Sequence, residues 1–224
     1  MNNTQQLNIE YFSLQSLFWM TYCMVVGFSV TYLLSCGYSN SEAGYILASA
    51  NICALILQPF FADLADRSKK INAMSIFFVS IAIIFVCSIG LFFIGIRSVL
   101  LTLIYVVMIT LANAVIAFLT SVQFLMDTSK SKINFGLCRA GGSLCFAILS
   151  AAMGIMIERI GIKSIPTALF IITLLIIILC MYITRHRIHT SQRTTNFATQ
   201  KKSSSLLVFF KDNPKFMILS IAML

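Results

Sequence analysis

Residues 71–96, INAMSIFFVSIAIIFVCSIGLFFIGI, form a continuous run without a charged side chain. A helix needs about 20 apolar residues, each rising ~1.5 Å, to cross the hydrocarbon core of a bilayer. Membrane strands would instead show alternating segments of about 10 residues. Five more charge-free runs lie at residues 11–41, 43–62, 98–126, 140–157 and 164–184. The sequence therefore predicts an all-α membrane protein with a bundle of six transmembrane helices.

The composition supports this class of protein. Hydrophobic residues make up 59% of the 224 residues and charged residues only 10%, which is far from the composition of a soluble domain. The first run has no basic segment before it and no small-residue cleavage site after it. We therefore expect it to be a retained transmembrane helix and not a removed signal peptide.

The basic residues indicate how the helices cross the membrane. The net charge is +9, and 13 of the 16 Lys and Arg residues fall in the loops of one side, at 63–71, 127–139 and 185–215. Because basic loops stay in the cytoplasm, the N-terminus and loop 185–213 are predicted to be cytoplasmic. The positive charge is thus explained by the orientation of the helices in the membrane, so nucleic acid is not expected as a partner. The lipid bilayer of the cell membrane, plasma or inner, is expected instead.

The runs also suggest a modular organisation. Residues 1–184 are predicted to form the six-helix bundle, and 185–213 a flexible cytoplasmic linker rich in Ser, Thr, Gln, Lys and Arg. Residues 214–224, which end in FMILSIAML, would begin a seventh helix. Six helices, a linker and six more helices form the layout of major facilitator transporters. The sequence is therefore interpreted as the N-terminal half of such a transporter, which would need a C-terminal six-helix half.

Polar side chains inside the predicted helices are candidates for a binding site because they are costly in lipid. An interhelical hydrogen bond is the alternative role for each of them. They are Gln15, Asn51, Gln58, Asn113 and Gln123.

Metal and cofactor chemistry have little support in the sequence. The seven cysteines form no CxxC pair and are expected to pack as small apolar residues. His186 and His189 lack Cys or carboxylate partners, so no metal site is predicted, and no cofactor is expected.

Arg139 begins a face on the fifth predicted helix. Arg139, Gly142, Ser143 and Phe146 follow the spacing i, i+3, i+4, i+7 and therefore share one side. A guanidinium group could donate hydrogen bonds to sugar hydroxyls, and the ring could stack on a pyranose. The alternative is that Arg139 only anchors the cytoplasmic end of the helix.

Asp66 and Arg67 close the second predicted helix, ahead of Lys69 and Lys70. They could form a solvated turn. Alternatively, they could form a charged gating latch that breaks and reforms as two halves of a transporter rock.

Three stretches carry a family resemblance. They are residues 58–67 (QPFFADLADR), 40–44 (NSEAG) and 134–143 (NFGLCRAGGS). In these stretches, and in layout over residues 12–184, the chain resembles the lactose-permease-like branch of the major facilitator superfamily, the oligosaccharide:proton symporters. Ala62 stands where the signature of the second loop has a glycine.

The resemblance implies roles for the candidate residues. Arg139 matches an essential helix-5 arginine that binds sugar hydroxyls, and Phe146 falls where a sugar-stacking tryptophan lies. Gln123 is the nearest counterpart of a helix-4 glutamate; it could hydrogen-bond a sugar but could not neutralise Arg139. Asp66 and Arg67 match a gating pair.

The predicted function is the N-terminal half of a proton-coupled secondary transporter for a sugar or related small solute, working by alternating access. The alternatives are a major facilitator carrier of another solute (a nucleoside, an aromatic acid or an exported drug) and a truncated membrane protein that does not transport. An enzyme is not expected, because the sequence shows no nucleophile–base set. No acidic residue or histidine falls mid-span, so the proton-carrying groups are expected in the other half.

Overall fold

The computed structural model describes residues 3–67, 73–127 and 132–188 of the protein, and all side chains in these ranges except those of residues 3, 66, 67, 187 and 188. All regular structure in these ranges is helical, so the predicted all-α class is confirmed. The predicted linker 185–213 lies mostly outside the described residues. The predicted start of a seventh helix, 214–224, lies entirely outside them.

Eight α-helices and two short π-helical segments make up the described structure. Four helices are long and apolar enough to span a membrane, and up to six spans result if each bent pair is counted as one. The bent pairs are α1 with α2, at 41°, and α5 with α6, at 44°. The helices are α1 (Asn3–Tyr22), α2 (Ser29–Ser35), α3 (Asn40–Arg67), α4 (Ala73–Phe93), α5 (Val99–Ala114), α6 (Ile116–Met126), α7 (Phe135–Ile160) and α8 (Ser164–Ile183); the π-helical segments are Cys23–Gly27 and Thr184–Ile188.

Side-chain caps explain where several helices begin. Ser39 and Glu42 form a capping box at the start of α3: the Glu42 carboxylate accepts from the Ser39 N–H at 2.9 Å, and Ser39 Oγ accepts from the Glu42 N–H at 3.2 Å. The Asn134 side chain accepts from the Leu137 N–H at 3.2 Å at the start of α7. Gly161, with φ of +96°, follows the end of α7 in a conformation that favours glycine.

Three helices begin earlier than the charge-free runs predict, and one of them is α3, which begins at Asn40 and not at residue 43. Helix α1 begins at Asn3 and not at residue 11, because the helix includes Glu10, whose side chain is buried. Helix α7 begins at Phe135 and not at residue 140, so Arg139 lies in its second turn. In all three cases a charged side chain lies near the start of the helix, so the charge-free run begins after the helix does.

The helices pack mainly in pairs, with α1 along α7, α3 along α5, and α4 along α8. The buried side of α1 carries Leu7, Tyr11, Leu14 and Phe18, at the spacing of one helical face. Many large apolar side chains on the outer surface are exposed, as expected for a surface that faces lipid.

A polar cluster joins two turns at the end of the bundle opposite the basic loops. Arg97 forms an ion pair with Glu42, and its guanidinium lies 5.7 Å from the centre of the Tyr38 ring. The Tyr38 hydroxyl lies 2.8 Å from both the Ser98 carbonyl oxygen and Thr102 Oγ1. The cluster therefore ties the turn before α3 to the start of α5.

Candidate functional site

The guanidinium of Arg139 stacks on Trp19, a contact between α7 and α1. The guanidinium carbon lies 4.0 Å from the centre of the indole ring. Arg139 Nη1 lies 3.5 Å from Ser143 Oγ, at the outer limit for a hydrogen bond. The main partner of Arg139 in the described structure is thus an aromatic face, as in a cation–π interaction.

Two glycines of α7 allow α1 to approach this closely. A Cβ atom on Gly142 would lie 2.6 Å from Cδ1 of Trp19, and one on Gly141 would lie 2.0 Å from Cε2 of Phe12. Real side chains do not approach so closely, so neither position accepts a larger residue without movement. The Gly-Gly pair therefore sets the distance between the helices and the position of the indole.

A chain of hydrogen bonds along α1 orients the Trp19 ring. The indole N–H donates to Gln15 Oε1 at 3.0 Å, and Gln15 Nε2 donates to the Tyr11 hydroxyl at 2.8 Å. The Tyr11 hydroxyl in turn donates to the Leu119 carbonyl oxygen at 2.8 Å, which links α1 to α6. Gln15 is buried and both of its side-chain hydrogen bonds stay within α1, so it positions the Trp19 and Tyr11 side chains, and Tyr11 makes the bond to the neighbouring helix.

A second hydrogen-bond network joins α1, α3 and α5. The Tyr22 hydroxyl donates to Asn113 Oδ1 at 2.9 Å, and Asn113 Nδ2 donates to Asn51 Oδ1 at 2.8 Å. The Tyr22 ring lies next to Trp19, with ring centres 5.3 Å apart. Five side chains from four helices thus form a continuous line, which we call the polar row: Arg139, Trp19, Tyr22, Asn113 and Asn51.

The polar row lies on an accessible side of the bundle. Asn51 is exposed and the other four members are half-buried. Within the described residues, the amide N–H groups of Asn51 have no acceptor. Amides and a guanidinium facing lipid would be costly, so this side of the bundle is expected to face water or protein.

Two helix breaks border the polar row. The π-helical segment Cys23–Gly27 begins directly after Tyr22, and the bend between α5 and α6 falls at Val115, two residues after Asn113. Gln58 Nε2 donates to the Asn113 carbonyl oxygen at 3.2 Å, beside this bend. Interrupted helices and π-helical turns are common at the binding sites of membrane transporters and other proteins.

Of the predicted substrate-binding residues, Arg139 belongs to the polar row, and Phe146 and Gln123 lie on α7 and α6. Phe146 is half-buried on α7, and its ring lies 3.9 Å from where a Cβ atom on Gly27 would be. Gln123 is half-buried on α6, and no hydrogen bond joins its side chain to Arg139 or to any other described residue.

The structure describes only the backbone of the predicted gating pair, Asp66 and Arg67. The backbones of Asp66 and Arg67 form the last residues of α3, but their side chains lie outside the described set. Their role as a latch stays a prediction.

Trp19, Tyr22 and Glu10 were not predicted from the sequence. Trp19 is the only tryptophan in the chain, and Gln15, Trp19 and Tyr22 follow the spacing i, i+4, i+7, so this face of α1 carried a signal. Glu10 is the one buried carboxylate among the described residues.

The described ranges hold no group of three or more His, Cys, Asp or Glu side chains that could bind a metal ion. The ring of His186 lies beside that of Tyr182, with centres 4.7 Å apart. His189 is outside the described residues.

The structure combines apolar helices of spanning length, two bent helix pairs and a polar row on one accessible side. This combination is typical of membrane proteins that move solutes. The model of the MFS_1 like family matches residues 6–224, nearly the whole chain. The chain therefore belongs to this family, and with it to the major facilitator superfamily. Membership supports a multi-pass membrane protein and points to a transporter rather than an enzyme. No curated protein and no solved structure matches the chain.

Proposed function

We propose that this chain forms the N-terminal half of the solute pathway of a proton-coupled secondary transporter in the cell membrane. The proposed solute is a sugar or a related small molecule rich in hydroxyl groups. The observation that carries the proposal is the stack of Arg139 on Trp19 in an accessible polar row. A second six-helix half would cover this side, as in transporters that bind solute between two repeats.

The chemistry of the polar row suits a sugar. Apart from the long contact with Ser143, the guanidinium N–H groups of Arg139 have no partner among the described residues and remain able to donate to hydroxyl oxygens. The Asn51 amide adds two N–H donors on the other side of the row. Aromatic rings beside these donors can cover the apolar face of a pyranose.

Phe146 and Gln123 are proposed as further contacts. Phe146 lies two helical turns beyond Arg139 on α7, about 10 Å along the helix axis at ~1.5 Å per residue. Gln123 has a side-chain amide without a hydrogen-bond partner among the described residues, so it can bind a hydroxyl group. Asp66 and Arg67 are proposed as the gating pair, on the resemblance alone.

Coupling to protons is also proposed, and so is membership of the lactose-permease-like branch. Both proposals rest on the resemblance. In those symporters the proton-carrying groups lie mainly in the second half. The family match supports a transporter in general and gives neither the solute nor the coupling ion.

A second candidate solute is aromatic, such as a nucleoside, an aromatic acid or an exported drug. The observation that favours it is the density of rings at the site, where Trp19, Tyr22 and Phe18 are mutual neighbours. Phe18 itself is buried, but a planar aromatic solute could stack on the half-buried rings of Trp19 and Tyr22.

Intrinsic fluorescence offers a direct test, because Trp19 is the only tryptophan in the chain. The protein would be placed in lipid nanodiscs and titrated with mono- and disaccharides, nucleosides and aromatic acids while the emission of Trp19 is recorded. A saturable change with sugars that is lost in Asn51→Ala supports the proposal. A saturable change with nucleosides or aromatic acids only would favour the second candidate, and no saturable change would contradict a solute site here.

Alkylation of Cys145 provides an independent measurement. Cys145 is half-buried beside Phe146 on α7, so bound solute should slow its reaction with a maleimide. Cys138 on the same helix is buried and serves as the unreactive control. Protection of Cys145 by sugars but not by nucleosides is expected; the reverse order would contradict a sugar site.

A further inference from the structure

Helices α4 and α8 pack together through the aromatic rings of Phe85, Phe92 and Phe170. The rings of Phe85 and Phe170 stack with centres 5.1 Å apart, and Phe92 meets Phe170 edge-on at 6.0 Å. Neither helix contributes a residue to the polar row. This pair of helices therefore forms a part of the bundle separate from the proposed solute site.

Beyond the stacked rings, a groove of about 460 Å³ opens between the first two turns of α4 and the end of α8. Most of its wall is apolar. Its lining residues are Met74, Ser75, Phe78, Val79, Met181, Thr184 and Arg185.

The groove opens on a surface that suits lipid. Val79 and Val86 on α4 and Ile178 and Met181 on α8 are all more than half exposed. Large apolar side chains exposed on adjacent spanning helices are expected to contact acyl chains.

Arg185 gives the groove a charged end. Its side chain is exposed, and within the described residues it has no carboxylate partner. It follows the 20-residue helix α8, whose length of about 30 Å matches the hydrocarbon core. Arg185 is therefore expected at the depth of the lipid headgroups, on the side of the basic loops.

We propose that this groove binds an anionic phospholipid of the leaflet on that side, which the charge distribution assigns to the cytoplasm. Arg185 pairs with the phosphate, Thr184 offers a hydroxyl group, and an acyl chain lies along Met74, Phe78 and Met181. Basic pockets between transmembrane helices on the cytoplasmic side are suited to anionic headgroups. The apolar wall argues for a lipid over free phosphate, which would use only the charged end.

The other end of the same helix pair provides a matched control. A groove of about 320 Å³ lies there, with Lys163 as its only cation. Its wall includes the polar side chains of Ser35 and Thr167, so it offers a less continuous apolar surface for an acyl chain.

The test is native mass spectrometry of the full chain with phosphatidylglycerol and with phosphatidylcholine of the same acyl chains. Wild type should retain phosphatidylglycerol preferentially. Arg185→Gln should lower that retention about fivefold, which corresponds to the ~1 kcal/mol expected for one basic side chain at an anionic surface. Lys163→Gln, which removes the same charge from the opposite end, should leave retention unchanged.

Two further arms separate a lipid bound in the groove from an anion attracted by charge alone. Val79→Trp fills the groove but keeps Arg185, and it should also lower retention. Inorganic phosphate at millimolar concentration should not displace the lipid. Equal losses in Arg185→Gln and Lys163→Gln, no loss in Val79→Trp, or displacement by inorganic phosphate would overturn the proposal.

Discussion

Arg139 and Trp19 form the contact on which the proposed solute site depends. Lysine at position 139 would keep the positive charge but lose the planar group that stacks on the indole. A cation–π contact of this kind contributes about 0.5–2 kcal/mol. We expect Arg139→Lys to shift the emission of Trp19 and to weaken the saturable response to sugars about tenfold, measured by fluorescence titration.

The control for this substitution is Arg97→Lys. Arg97 also lies over an aromatic ring, that of Tyr38, and pairs with Glu42 at the opposite end of the bundle. Its replacement should leave the emission of Trp19 and the response to sugars unchanged. Equal effects of the two substitutions would show that the emission reports general loosening and not the site.

At the residue scale, the sequence identified one partner of the Arg139–Trp19 contact and not the other. Arg139, Gly142 and Phe146 could be placed on one face because helical spacing fixes which residues of a helix share a side. Trp19 could not be paired with Arg139, because spacing within a helix says nothing about which face of another helix it meets. The amides of Asn51 and Asn113 were identified as candidates, but their hydrogen bond to each other follows only from the packing of α3 on α5.

The contact between α1 and α7 depends on the two adjacent glycines. In Gly142→Ala the added methyl group would meet the body of the Trp19 ring at 2.6 Å, so the indole or the helix must move. Overpacking of this kind costs about 1–3 kcal/mol. We expect a lower melting temperature in detergent together with a shift in the emission of Trp19.

Two other glycines of α7 give a graded comparison. Beyond the adjacent backbone of its own helix, no atom lies within 4 Å of the Cβ position of Gly154, so Gly154→Ala should be neutral or should stabilise by up to ~1 kcal/mol through helix propensity. In Gly141→Ala the methyl group meets the outer edge of the Phe12 ring, which can swing away, so an intermediate loss is expected. If Gly154→Ala is as destabilising as Gly142→Ala, close packing on Trp19 is not the cause.

The bend between α5 and α6 is the second element whose stability can be measured. Gln58 donates to the Asn113 carbonyl oxygen beside the bend. In Gln58→Met this hydrogen bond is lost, and interhelical hydrogen bonds in membranes contribute about 0.6 kcal/mol on average. We expect a small decrease in thermal stability. The control is Gln6→Met, because the bond of Gln6 to the Tyr182 hydroxyl is long, 3.4 Å, and exposed; a decrease as large in Gln6→Met would contradict a specific role for Gln58.

At the element scale, the charge-free runs predicted six spans but not the bends within them; the described helices give four spans, or up to six if each bent pair is counted as one. The first and fourth runs each contain two helices, and neither break has a proline to mark it. Gly27 ends the first π-helical segment, but a lone glycine within an apolar run does not distinguish a break from close packing. Both breaks follow polar side chains that bond across helices, and this is a property of the assembled bundle.

The arrangement of the whole bundle in the membrane gives a topology prediction. Lys132 and Lys163 are exposed and lie in connections at opposite ends of α7. Each would be replaced by cysteine in a background without the native cysteines. A membrane-impermeant maleimide should label position 163 in intact cells and position 132 only after permeabilisation, as the positive-inside rule requires. The reverse pattern would invert the predicted orientation and move the Arg185 groove to the outer leaflet.

The position of the polar row also predicts whether the bundle can transport a solute without a second half. Its members are accessible on one side of the described structure, and a solute bound there would be covered by this bundle on that one side alone. Alternating access needs a second surface that moves against the first. Cells that express only residues 1–224 should therefore show no accumulation of sugar above a vector control, measured with radiolabelled sugars. The purified polypeptide should still give the Trp19 response, because the donors of the row belong to this chain. Accumulation that collapses when the proton gradient is dissipated would show instead that these residues form a complete pathway, and it would refute the assignment of the row to one half of a site.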